Sequence, residues 1–280
     1  VQVIRERDAL AAAVAEYRSE GSRVVLVPTM GALHAGHVSL IEAAKRPGTK
    51  VVASIFVNPR QFGPNEDLGR YPRREMADIR MLTEAGCDAV WMPGVDTMYP
   101  DGFATTIHVS GVSEGFDGAA RPGHFDGVAT VVTKLFNQVR PDAAYFGEKD
   151  FQQIAVIRRM VADLDMGIEI VGVPTQREDD GLALSSRNIY LDADERAKAV
   201  ALPRALGVAA RAIARGEDVV AVLDDARTTL TAAGFEVDYV ALADAETLAV
   251  EPAADRPRRL LAAARMGSTR LIDNVPVDQG

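Results

Sequence analysis

The chain has one cysteine, Cys87, in 280 residues. That excludes an intrachain disulfide and any cysteine-based metal cluster, and Cys87 itself reads as a small core residue rather than a nucleophile. No uninterrupted apolar run reaches membrane-spanning length. The opening residues, with Arg5, Glu6, Arg7 and Asp8 close together, do not resemble a secretion signal, so the expectation is a cytoplasmic protein without a membrane partner. Basic residues are in deficit: a net charge of -9 argues against a general nucleic-acid-binding surface, while a local basic cleft could still hold phosphates. What is present is 48% hydrophobic and 25% charged residues, enough for a substantial core in one large domain or two unequal ones.

Apolar strand candidates alternate with amphipathic segments through the first half, the pattern of a parallel sheet flanked by helices. Strands are expected at residues 24–27, 50–57, 89–92, 143–146 and 169–173, and helices at 8–20, 37–45, 74–85, 128–138 and 151–164. The texture changes after Pro174. Residues 175–188 are rich in small and charged side chains and read as a loop over a site. Alanine-rich segments at 194–215 and 218–233 favour helix, and short strands fit 237–242, 259–264 and 269–273. The expectation is a layered α/β domain over residues 1–174 and a smaller α+β domain over 175–280.

Four of these junctions could carry chemistry. Residues 28–37 follow an apolar run and place His34 and His37, two of only four histidines, where a helix should begin. Imidazoles three apart share a helix face, neutral rings donate to phosphate oxygens, and exposed amides at a helix start favour an anion; capping and packing is the competing reading. Zinc is not indicated, since no third ligand is recognisable nearby. Residues 54–63 pass from an apolar strand to Asn58 and Gln61, amides able to recognise hydroxyl or carboxylate groups or simply to stabilise a turn. Residues 146–153 put Lys149 and Asp150 after another strand, with Gln153 on the next helix; Lys149 can balance phosphate charge, and Asp150 can hold a ribose hydroxyl, orient Lys149 or contribute to a magnesium site. Strand ends of a parallel sheet commonly face one crevice. Residues 184–188 combine Ser185 and Ser186 with Arg187, a set that can grip triphosphate oxygens from a mobile loop or form an ordinary surface turn.

In order and spacing, residues 28–37, 54–63, 147–153 and 184–188 resemble the pantothenate synthetase (pantoate–beta-alanine ligase) family, and residues 66–73 and 121–127 extend the likeness over most of the chain. The resemblance implies a Rossmann-like nucleotidyltransferase domain, a smaller C-terminal domain with a phosphate-contacting loop, and a homodimer. The implied reaction condenses pantoate with beta-alanine, using ATP and magnesium, through pantoyl adenylate. His34 and His37 match a nucleotide motif and would contact ATP phosphates, and Ser185, Ser186 and Arg187 would align ATP and the departing pyrophosphate. Lys149 would stabilise charge at the α-phosphate. Thr29 and Met30 would help position ATP, Met30 also pantoate, and Gly147 and Asp150 would lie near the nucleotide. Gln61 and Gln153 would recognise pantoate, with Asn58 in the same substrate region, and Asp78 would contact the metal. Leu184 departs from the methionine usual before Ser-Ser-Arg.

Two other readings stay open: a related nucleotidyltransferase, and a nucleotide-responsive binding protein without turnover. His124 could line a substrate entrance or stabilise a turn. His108 fits an exposed strand position, and Trp91 and Met92 fit a strand end packed in core or interface.

Overall fold

The computed structural model describes residues 1–250 and 252–278. Six parallel strands, β1 (Gln2–Ile4), β2 (Arg23–Thr29), β3 (Thr49–Ile55), β4 (Ala89–Trp91), β5 (Ala143–Gly147) and β6 (Glu169–Val173), form one sheet in the order β1-β4-β3-β2-β5-β6. Its helices are α1 (Arg7–Ser19), α2 (Ala35–Ala44), α3 (Glu75–Glu84), the short α4 (Val95–Met98) and α5 (Asp117–Ala120), α6 (His124–Val139) and α7 (Phe151–Asp163). The central residues of β2 and β3, 24–27 and 51–53, are apolar and buried because both faces are covered. On β2, Val24 and Leu26 join the cluster under α1, α6 and α7, whereas Val25 and Val27 join the one under α2 and α3. From β2 the chain builds outward through β3 and β4, then crosses back to β5 on the other side of β2. That reversal opens a crevice at the carboxyl ends of β2 and β5.

Beyond β6, residues 174–191 run as a loop closed by a short 3-10 turn, Ser186–Tyr190. Three further helices, α8 (Ala193–Ala199), α9 (Ala201–Ala214) and α10 (Val219–Ala232), precede an antiparallel sheet of β7 (Glu236–Asp244), β8 (Arg258–Met266) and β9 (Thr269–Val277). The single helix expected over 194–215 is two helices. Pro203 has no N–H to give the Ala199 carbonyl, so the ladder breaks at Val200. The β8–β9 hairpin is longer than expected, and β1, pairing β4, was not anticipated at all.

Alternation in the hairpin gives the C-terminal sheet two working faces. Leu260, Ala262, Ala264, Leu271 and Val277 pack beneath α9 and α10, while Leu261 meets Phe151 and Ala155 of α7 across the junction with the parallel sheet. Among the described residues no helix is long and apolar enough to cross a membrane.

Candidate active site

The crevice contains a cavity of about 220 Å3 lined by Thr29, Met30, His34, His37, Asn58, Gln61, Gly147, Lys149, Asp150, Gln153, Ser185, Ser186 and Arg187. Residues separated by more than 150 positions in the chain thus share one pocket. A second cavity of about 480 Å3 adjoins it and shares Arg121, His124, Lys149, Asp150, Ser185 and Arg187 as a common wall.

At the start of α2 the two imidazoles cap the helix reciprocally. His34 Nδ1 accepts from Gly36 N at 3.1 Å, and His37 Nδ1 accepts from His34 N at 3.3 Å. With Nδ1 accepting in both rings, the proton of each neutral ring sits on Nε2. Burial, then the Lys149 charge, lowers His34 to about 4; burial, then His34 and Lys149, lowers His37 to about 3. Both rings are therefore neutral donors at pH 7, and the influence of Lys149 on both reflects how closely the ends of β2 and β5 converge.

The amide pair after β3 has a defined polarity. Asn58 is 1% exposed, and its Oδ1 accepts from Arg60 N at 3.3 Å and Tyr99 OH at 2.7 Å. Its Nδ2 donates to Gly127 O at 3.1 Å and to Gln61 Oε1 at 2.9 Å. The two backbone partners fix which way the Asn58 amide points, and that in turn leaves Gln61 Nε2, 3.2 Å from Met30 Sδ, facing the cavity as a donor. The hydrogen-bonding capacity of Asn58 is committed within the protein, so at the cavity wall it orients Gln61. Thr29 is similarly occupied, donating to Ser54 O at 2.8 Å and accepting from Gly31 N at 3.2 Å, so it shapes the turn after β2.

Asp78 is engaged by the backbone. It is 3% exposed, lies on α3, and its two carboxylate oxygens accept from Ala32 N at 2.9 Å and Leu33 N at 2.8 Å. It pins the loop before His34 and does not line the cavity. Among the described residues no group of three His, Cys, Asp or Glu side chains is arranged to hold a metal ion.

The loop after β6 brings Ser185, Ser186 and Arg187 to the cavity. Ser185 Oγ accepts from Arg187 N at 3.2 Å, and Ser186 Oγ lies 3.2 Å from Tyr71 OH. Arg187 forms a two-pronged ion pair with Asp67, both contacts at 3.0 Å. Lys149 Nζ is 3.9 Å from Asp150 Oδ1. His124 is buried, with Nδ1 donating to Gln61 O at 2.8 Å and Nε2 accepting from Arg121 at 3.1 Å; it steadies the Gln61 turn and also borders both cavities. His108 is exposed and pairs with Asp126, though outside any strand. Trp91 is fully buried in β4, its indole N–H on Gln138.

One wall was missed from the sequence. Val128, Val131, Val132 and Leu135 of α6, with Phe56, also line the cavity. Their spacing was visible as a helical stripe, but a stripe facing a cavity has the same period as one facing a core.

The chain is similar to known proteins over nearly its whole length. The family model described as pantoate-beta-alanine ligase matches residues 2–276. A pantothenate synthetase of Rhizorhabdus wittichii is 64% identical over 279 residues, covering 99% of each chain. A solved pantothenate synthetase from Thermus thermophilus superposes with a TM-score of 0.91 at 48% identity, again covering 99% of each. A pantoate-beta-alanine ligase from Francisella tularensis, solved in complex with beta-gamma ATP and beta-alanine, gives 0.83 at 32% identity, covering 100% of this chain and 99% of that one. A match across nearly the whole chain, with the same ordered motifs meeting in one crevice, places this chain in the pantoate-beta-alanine ligase family.

Proposed function

We propose that this cavity joins pantoate to beta-alanine in two steps, with the residues below in the stated roles. The observation that carries the reading is that one cavity is lined by neutral imidazole donors, Lys149, two hydroxyls and Arg187 and also by Gln61, Gln153 and apolar side chains; we assign the first set to one end and the second to the other. A nucleoside triphosphate fits the first end. A small hydroxy acid with a branched hydrocarbon centre fits the second, where the valines of α6 take the methyl groups and the amides take hydroxyl and carboxylate.

In the first step a pantoate carboxylate oxygen bonds to the α-phosphorus of ATP while the bond from that phosphorus to the bridging oxygen breaks, releasing pyrophosphate. His34 and His37 donate from Nε2 to phosphate oxygens, Lys149 stabilises the charge that grows at the α-phosphate, and Ser185, Ser186 and Arg187 align the leaving pyrophosphate. Arg187 exchanges the Asp67 carboxylate for phosphate oxygens as it does so. In the second step the neutral amine of beta-alanine attacks the acyl carbon, the amide forms, AMP leaves and the amine gives up a proton. With Nδ1 of both His34 and His37 engaged by backbone N–H groups, neither ring is assigned as the base.

Gly147 supports close nucleotide approach: a Cβ there would meet no protein atom within 4 Å, so internal packing does not call for glycine. Asp150 is assigned to the ribose. Magnesium, when bound, neutralises and orients the triphosphate; the cavity offers donors and cations with Asp150 as an adjacent carboxylate, so its shell comes mainly from phosphate oxygens and water. The reading also includes a homodimer, a cytoplasmic setting and a domain division near Pro174.

The test is incubation with ATP, magnesium, pantoate and beta-alanine, separating the products. AMP and pantothenate formed in equal amounts are expected. Nucleotide transfer to another acceptor, or ATP binding without product, would reject the proposal.

A further inference from the structure

We propose that Asn274, on β9 of the C-terminal sheet, is a positioning residue for Lys149, holding the turn that carries it from across the junction between the two sheets. The proposal rests on the assignment of Lys149 to the α-phosphate. Asn274 is 2% exposed. Its Nδ2 donates to Glu148 O at 2.8 Å and to Lys149 O at 2.9 Å, and its Oδ1 accepts from Arg259 Nε at 2.7 Å. Arg259 reaches on to Glu148 Oε2 at 3.2 Å and lies 4.2 Å from the Phe151 ring centre. One amide and one guanidinium from the antiparallel sheet thus bracket residues 148–151.

The bracketed element is a single 3-10 turn, Glu148–Asp150, whose N-cap residue, Gly147, supplies no side-chain hydrogen bond. One turn of that kind has little internal hydrogen bonding to fix its direction. Its two carbonyls, held by the two N–H groups of a planar amide, determine where the Lys149 stem leaves the backbone. A buried strand amide needs acceptors of some kind for its own satisfaction; here both acceptors belong to the turn bearing the ammonium.

The preceding residue performs a parallel task. Asp273, also 2% exposed, accepts from Arg177 Nη1 and Nη2, both at 2.8 Å. Arg177 opens the small hairpin, bridged to Ala183, from which Ser185 to Arg187 emerge. Neighbouring strand residues point to opposite faces, so the one-residue step from Asp273 to Asn274 in β9 sets the spacing between the Lys149 turn and the serine-arginine loop.

The test is a mutant cycle read by single-turnover pyrophosphate formation from ATP and pantoate, with folding checked by circular dichroism. A displacement of about 1 Å at a reacting group can cost about 100-fold, so Asn274→Ala is expected to slow adenylation roughly 10- to 100-fold, with kcat falling more than either KM changes. Asn274→Ser, which retains one donor, is expected to recover part of the loss and serves in the cycle if the alanine variant does not fold. In a Lys149→Ala background the same substitution should add less than about 2-fold, because coupled residues are not additive. Multiplicative losses, or full-speed adenylation in a folded Asn274 variant, would overturn the proposal. If Lys149→Ala alone leaves adenylation unchanged, the assignment of Lys149 fails first and is identified as the cause.

Discussion

The imidazoles of His34 and His37 serve as fixed donors, and their pH behaviour follows from that. Both folded-state values, about 4 and about 3, lie below the ordinary 6.5, so the unfolded chain binds more protons at mildly acidic pH. The stabilising contribution is complete above about 6.5 and falls as the pH drops from there towards 4, at about 1.4 kcal/mol per unit for each ring while its two states differ. Urea midpoints measured across that range should decline with acidity, and His34→Gln should flatten the decline; kcat/KM for ATP should show no limb near 6.5 from these rings. At Gln61 the outward Nε2 predicts a division of labour: Gln61→Ala should raise the pantoate KM about 10-fold, on the scale of one hydrogen bond to a charged group, with the ATP KM nearly unchanged in steady-state assays. Read locally, without the family resemblance, Gln61 and Asn58 are two amides three residues apart. Their difference depends on Tyr99 and Gly127, 41 and 69 positions beyond Asn58, which local reading could not join to it. The same holds for Thr29 and Asp78, whose hydrogen-bond partners are contributed by the fold.

Between elements, a tight constraint lies where α6 crosses the turn bearing Gln61. A Cβ on Gly127 would come within 2.3 Å of Arg60 O and 2.7 Å of Gln61 Cα, both backbone atoms that cannot swing aside. Gly127→Ala should therefore cost about 1–3 kcal/mol, the usual range for overpacking, and weaken pantoate capture more than ATP capture; thermal unfolding and substrate titration would show both. Long apolar elements were legible because strands buried on both faces and helices with one wet face leave different periods. The first turn of α6, His124 to Gly127, was not, since its polar residues face partners at the cavity and interrupt the apolar stripe. The break between α8 and α9 was readable in principle from Pro203 and was outweighed by the surrounding alanines.

For the molecule as a whole, the alternating pattern indicated the layered architecture but not how the parts meet. The junction contains a buried ion pair, Arg270 with Asp117 at 2.7 Å, and Tyr239 OH donates to the same carboxylate at 2.8 Å. Removing one partner strands a buried charge, so Arg270→Ala should lower unfolding free energy by about 3–5 kcal/mol, and adding Asp117→Asn should return part of that; chemical denaturation of the single and double variants measures both. Neither residue stood out in the sequence, because their meaning lies in a separation of 153 positions. The β8–β9 hairpin deserves to be viewed as a gauge of length. It turns through only Gly267 and Ser268, and a strand shifted by one residue presents every side chain to the opposite side. A single amino acid inserted there would carry Leu271 and Val277 towards the Glu148–Asp150 turn and bury Asn274 against α9 and α10, so tolerance to insertion at this remote bend should be as poor as tolerance to substitution in the candidate site.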